Sequence, residues 1–354
     1  MKTANQKLLR FRLVGKSRGF GLVELMIAIT IGLILLGGIG YVYLGSRQTF
    51  RTQDDFSRIQ ENVRYALDQV GVDVRMAGYA GCVNLASIDP ANPSAIPVSV
   101  VANGAPTVGL DQAMRGYDGS ATWPAPGTAP ANWVPNTSVF VITRASEAGV
   151  NVTGNTTPSN ANLQITGNPA GFVAEEALLV SDCRNADLFR AVNVSGGGTV
   201  TISTGISNCS NIGMACNTQP FLGASYGNDA EVFRMISSTY FIGTNVAGNP
   251  ALYRRSLDGN AEEMVDNVEN IVMRFGIDTD NDFVVNSYVI ASAVTDWRQV
   301  MTARLSMVFR SNSNNVATQV QPYVLEGTTV TPAATDRRLR QVATATFGLR
   351  NRLP

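Results

Sequence analysis

Residues 16–50 read KSRGFGLVELMIAITIGLILLGGIGYVYLGSRQTF. From Phe20 to Leu44 the only charge is Glu24, and as a helix this run of 25 residues would rise about 37 Å, enough to cross a bilayer core of roughly 30 Å. Residues 1–19 carry Lys2, Lys7, Arg10, Arg12, Lys16 and Arg18 with no acid. By the positive-inside rule the N-terminus stays cytoplasmic and the bulk of the chain is exported. No small-residue cleavage pattern closes the apolar run, because YVYLGSRQTF follows directly, so the span is expected to be kept.

The helical pattern continues past the span. Phe56, Ile59, Val63, Ala66, Leu67, Val70, Val74 and Ala77 recur at spacings of three and four, with Arg58, Gln60, Glu61, Arg64, Asp68 and Asp73 between them. This predicts one helix from about Phe20 to Ala77, apolar all round in its first half and one-faced in its second. Gly78 and Gly81 end it in AGYAGC.

Beyond the helix the texture changes. Residues 83–170 are punctuated by proline and read as loop-rich, with short runs such as SVFVIT (138–143). Strand-like stretches follow at 176–182, 188–194, 199–204, 230–243, 251–257, 268–278, 282–290, 301–311 and 341–351, with turn signals between them, and this predicts antiparallel sheet. SGGGT (195–199) reads as a hairpin turn.

Composition narrows the function classes. The 354 residues include 27 basic and 27 acidic side chains and no histidine. The lack of histidine removes the commonest general base and metal ligand and argues against an enzyme. Beyond residue 19 the chain has 21 basic and 27 acidic residues, a net of −6, and no basic run, which argues against nucleic acid as a partner. Cys82, Cys183, Cys209 and Cys216 form an even set in an exported region, which reads as two disulfides with three connectivities open. A local Cys209–Cys216 bridge would contribute about 2.5 kcal/mol by loop-closure entropy, and a Cys82–Cys183 bridge about 4.7 kcal/mol. Zinc is the alternative reading, but no Cys-x-x-Cys spacing exists.

GFGLVELMIAITIGLILL, with Gly19, Phe20, Glu24 and the apolar run behind them, resembles the class III signal of type IV prepilins and pseudopilins. Gly21 departs from the threonine or serine more usual there. RIQENVRYALDQVGVDVRMAGYAGC (58–82), VSDC (180–183), ENIVMRFGIDTDND (269–282), VTDWRQVMTARLSMVFRS (294–311) and DRRLRQVATATFGLRNRLP (336–354) resemble PilW-type minor pilins. The resemblance implies an α+β, type IV pilin-like fold. A long N-terminal helix, transmembrane in its first half, packs on an antiparallel β-rich globular domain. Its parts would be a cleaved basic leader (1–19), the helix (20–79, transmembrane about 20–44) and a periplasmic domain (80–354).

A prepilin peptidase would cut after Gly19 and methylate the new amine of Phe20. Glu24 would pair with the N-terminal amine of an adjacent subunit. A carboxylate costs about 2.5–3.5 kcal/mol at mid-membrane. A unit pair at about 4 Å offers roughly 4 kcal/mol at an effective dielectric of 20, so a partner makes the acid tolerable. The implied role is a minor pilin at or near the filament tip that starts pilus assembly. Its partners would be other minor pilins, the major pilin and a tip adhesin. It would sit in the inner membrane before assembly and be extracellular in the pilus afterwards, with no cofactor. The alternatives are a type II secretion pseudopilin of the J class and, from another class, a membrane-anchored adhesin or sensor.

Two further motifs stand apart. Asp278, Asp280 and Asp282 in DTDND are spaced like the start of a calcium loop, but Phe283 and Val289 stand where an EF-hand needs Gly and Glu, so a polar hairpin loop is the expectation and calcium a weak candidate. Arg337, Arg338 and Arg340 form a small basic cluster beside Asp336, expected at a solvated strand edge or against an acidic neighbour.

Overall fold

The structure, a computed structural model, describes residues 19, 21–82, 113–154, 162–206, 216–217, 219–257 and 259–352. Residues 1–18 of the expected leader, Phe20, Cys209 and residues 83–112 therefore lie outside the described residues. Contacts divide the chain into two units between Gln53 and Asp54.

The N-terminal unit is the first part of α1 (Leu22–Met76), a single helix of 55 residues. It is long and apolar enough to cross a membrane, and its most apolar window buries nothing within the protein. Leu22, Ile27, Ile34, Leu36, Tyr41 and Phe50 are all exposed. A helix apolar all round and uncovered by its own chain needs a lipid or protein surround.

The second unit contains the rest of α1 and all the strands. Its largest sheet is built around β9 (Glu231–Thr244), with β1 (Met114–Tyr117), β2 (Val139–Ala145), β3 (Val150–Gly154), β4 (Asn162–Thr166), β5 (Ala177–Ser181), β6 (Ala186–Arg190), β7 (Asn193–Val194), β8 (Thr199–Ser203), β10 (Pro250–Arg255) and β11 (Ala261–Asp266). At 14 residues, β9 is long enough to serve two sets of neighbours. Its first residues pair with β3 and β5, and its later ones with β2 and β10. A second sheet runs in the order β13 (Ser287–Val289), β12 (Val268–Ile277), β14 (Val300–Arg310), β17 (Arg340–Gly348), and β15 (Tyr323–Leu325) with β16 (Thr328–Val330) forms a separate hairpin. Every pairing is antiparallel among the described residues. The long helix plus antiparallel sheet is the α+β layout expected from the sequence.

Within this unit α1 lays one stripe on the sheets. Ile59, Ala66, Val70, Val74 and Ala77 are buried with Phe140 and Tyr240 of the first sheet and Ile271, Phe275, Leu305 and Phe347 of the second. Gly71 permits the closest approach, since a Cβ there would lie 2.6 Å from a Phe347 ring carbon. The helix then stops cleanly. Gly78 takes the left-handed φ of 73° and donates to the Thr143 carbonyl at 2.8 Å. Asn351 donates its side-chain amide to the carbonyls of Met76 (3.3 Å) and Ala77 (3.1 Å), which a helix end otherwise leaves without partners.

Several strand boundaries differ from the sequence expectation. The 188–194 run splits into β6 and β7. The 282–290 run is strand only at 287–289, and β1, β3 and β4 lie inside the region expected to be loop-rich. SGGGT does join paired strands, β7 and β8.

Candidate functional site: the helix start and its anchors

Gly19 and Glu24 are both exposed, and Phe20 is outside the described residues. Glu24 sits in the first turn of α1, where an acid complements the positive end of the helix dipole. Its Oε2 accepts from the Gly21 backbone N–H at 3.2 Å, a backbone donor with no helical partner of its own. The carboxylate therefore has a local role in starting the helix and still faces outward. A cationic group on another molecule can reach it.

At the other end of the helix the fold is held by a polar knot. Asp73 is buried, although its position in the sequence put it among the polar residues between the apolar stripe. Its Oδ1 accepts from Nε and Nη2 of Arg144, both at 3.2 Å, and its Oδ2 accepts from the Tyr240 hydroxyl at 2.6 Å. Burial, followed by the facing Asp73 charge, pushes the Tyr240 hydroxyl up, so it stays a donor. One carboxylate thus ties α1 to β2 and β9. Nothing in the local sequence marks it, because its partners are 71 and 167 residues away.

A covalent tie lies just beyond. Cys82 and Cys183 are disulfide-bonded across 101 residues with their Cα atoms 4.8 Å apart. They join the turn after α1 to the turn after β5. Cys216 is also disulfide-bonded, and Cys209 is outside the described residues.

The Asp278, Asp280 and Asp282 carboxylates come within 4.8 Å of one another. Asp278 is buried, and its oxygens accept backbone N–H bonds from Asp280 (3.2 Å), Asn281 (2.7 Å) and Phe283 (2.8 Å). Burial pushes its carboxyl up, but these donors outweigh that and hold it below the ordinary value. Asp278 works as the clasp of a loop between β12 and β13, an Asx-type arrangement that holds Asn281 and Phe283 in left-handed backbone.

The basic cluster is a solvated edge only in part: Arg337 is exposed, but its neighbours are drawn in. The Arg340 side chain is only 1% exposed and is bonded to Glu269 and Asp336, while Arg338 reaches Asp336 and Arg337 reaches Asn315. The outer face of the second sheet is covered at Arg340 because the segment between β14 and β17 folds back over it: the Ser311 N–H donates to the Leu339 carbonyl and the Leu339 N–H donates to the Ser311 hydroxyl. At the other end of that face Glu326, on the β15–β16 turn, accepts from Arg274, Arg304 and Ser306.

Two family models match the chain. The prokaryotic N-terminal methylation motif matches residues 15–40, over the start of the apolar helix, and Type IV Pilus-assembly protein W matches residues 239–351, from β9 through β17. The second match includes the β12–β14–β17 sheet, the β15–β16 hairpin and Asn351, which closes the helix end. Comparison with curated proteins and with solved structures returns no significant match. With an N-terminal methylation motif at one end and a region similar to Type IV Pilus-assembly protein W at the other, these two stretches match those of a PilW-type type IV pilin.

Proposed function

We propose that the protein is a minor pilin incorporated at or near the tip of a type IV pilus. There it helps start assembly together with other minor pilins and supports an adhesin. Support comes from one combination: a prepilin motif with an outward-facing Glu24, joined through one helix to a domain with the PilW region. In this reading a prepilin peptidase cuts between Gly19 and Phe20 and methylates the Phe20 amine, and residues 1–19 leave the working protein. The apolar first part of α1 holds the subunit in the inner membrane until it enters the filament. The globular domain stands on the periplasmic side.

Glu24 does two jobs in this scheme. In the free subunit it takes the Gly21 N–H. On entry into a filament it meets the N-terminal amine of a neighbour and fixes the axial register of the new protomer. A charge pair replaces a costly isolated carboxylate, so incorporation is favoured only in the correct register.

The test is Glu24→Ala in the native host. Membrane insertion and leader cleavage should persist, and surface pili should fall sharply. Normal piliation in that strain would sink the assembly role of Glu24. A protein still processed but absent from sheared pili, with piliation intact, would argue against the minor-pilin role itself.

A further inference from the structure

The covered outer face of the β12–β14–β17 sheet ends in an unbalanced cluster. Arg310 and Arg340 are directly opposite in the β14–β17 register, an arrangement that repels unless acids intervene. Two do: Glu269 accepts from Arg340 at 2.7 and 3.2 Å, and Asp336 accepts from Arg340 at 2.5 Å and from Arg338 at 3.4 Å. Among the described residues the Arg310 side chain donates only to the neutral Asn249 oxygen, at 3.4 Å. Among the described residues the cluster therefore holds three guanidinium groups against two carboxylates.

Its hydrogen bonding is incomplete on the same side of the ledger. Among the described residues, Arg310 Nε, Arg338 Nε and Arg340 Nη1 are buried donors without a partner. An unmet buried donor is costly, and one on a cation more so. A cleft of about 450 Å³ opens beside the cluster, lined by Thr318, Gln319, Gln321, Tyr323 and Arg340. Burial, and then the Arg338 charge, lower the basicity of Arg310, and the opposing Glu269 and Asp336 carboxylates do not restore it.

We propose that Arg310, Arg338 and Arg340 form a receptor for a single oxyanion, entered through this cleft. The oxyanion is a carboxylate presented by a neighbouring protein chain or a free phosphate or sulfate. Planar guanidinium groups suit either source, because each offers paired donors to two oxygens. One bound oxyanion supplies the missing charge and gives the unpartnered donors an acceptor.

Thermal unfolding of the full chain in detergent micelles tests this, followed by tryptophan fluorescence with sodium sulfate or phosphate against sodium chloride at matched ionic strength. Binding to the native state alone raises Tm. The wild type should melt higher in the oxyanion salt, and Arg338→Gln, at a partly exposed position, should lose that extra rise. Glu269→Gln should show a larger rise than the wild type, because removing a competing carboxylate strengthens anion binding even if the variant starts less stable. A glutamate-rich peptide that raises Tm in the wild type but not in Arg338→Gln assigns the protein carboxylate as the source. A response to the inorganic anions alone assigns the free anion. The proposal is overturned by no rise over chloride, by a rise that Arg338→Gln keeps, or by a Glu269→Gln response no larger than the wild type's.

Discussion

Replacing Asp73 with alanine should undock the end of α1 from the sheets. The Asp73 and Arg144 side chains are 6% and 13% exposed, so the pair is screened little by water. Removing the carboxylate takes the shared acceptor from Arg144 Nε and Nη2 and from the Tyr240 hydroxyl, while Arg144 Nη1 keeps only the Ala145 carbonyl at 3.3 Å. Breaking a buried pair from one side costs about 3–5 kcal/mol, whereas exposed pairs are worth about 0–1 kcal/mol. We expect Asp73→Ala in the upper range and Tyr240→Phe, which removes one donor only, at about 1–2 kcal/mol. The triple variant Asp73→Ala/Arg144→Met/Tyr240→Phe, with no stranded polar group, should regain much of the loss. Denaturant unfolding in micelles, followed through Trp123, Trp133 and Trp297, measures each, because all three tryptophans lie in the second unit. A loss under about 1 kcal/mol for Asp73→Ala would refute the reasoning, since it would place this knot with ordinary surface pairs.

Two other perturbations probe the second sheet. Burial pushes Glu326 up, but its bonds to Ser306 and Arg274 and the charges of Arg304 and Arg274 prevail, so its pKa lies below the ordinary glutamate value. A depressed carboxylate stabilises the fold above its unfolded pKa and loses that contribution as pH falls through the folded one. Wild type should therefore exceed Glu326→Gln by about 1–2 kcal/mol near neutrality, and the two curves should converge at acidic pH below about 4. A gap that stays constant down to the acid limit would assign the effect to shape alone. For the Asp278 loop, calcium should leave Tm unchanged, since the buried carboxylate is already taken by backbone donors. A calcium-dependent rise lost in Asp280→Asn would turn the loop clasp into a cation site.

The helix was readable because the relevant signals are local. Twenty-five residues with one charge, followed by a three-and-four stripe, specify both halves of α1, and long alternating runs such as AEVFRMISSTYFIG specify β9. Short strands such as VNVTG and NLQIT escaped, since five residues set among polar loop sequence carry too weak a pattern, although both lie inside the sheet between β9 and β8. Phe283 and Val284 misled in the other direction. They look like strand residues but sit exposed in a turn held by Asp278. The start of the candidate site, Glu24, stands out because an acid is anomalous in an apolar run. The anchor at Asp73 does not, because an acid on a helix is ordinary until its buried partners are known. The arginine cluster was visible in DRRLR, but its burial depends on a fold-back of the preceding segment.

The Cys82–Cys183 bond has a mechanical consequence. Tension entering through α1 leaves the helix at Met76, reaches Cys82 and can pass straight to Cys183, bypassing the 101 residues of separation. β1 to β5 lie between the two cysteines and are bypassed by that path while the bond holds. Opening the bond would release about 340 Å of extra contour length at roughly 3.4 Å per residue, a step that single-molecule pulling with and without reductant resolves. Pulling between α1 and the strands beyond Cys183 would thus load β6 to β11 of the larger sheet before β1 to β5.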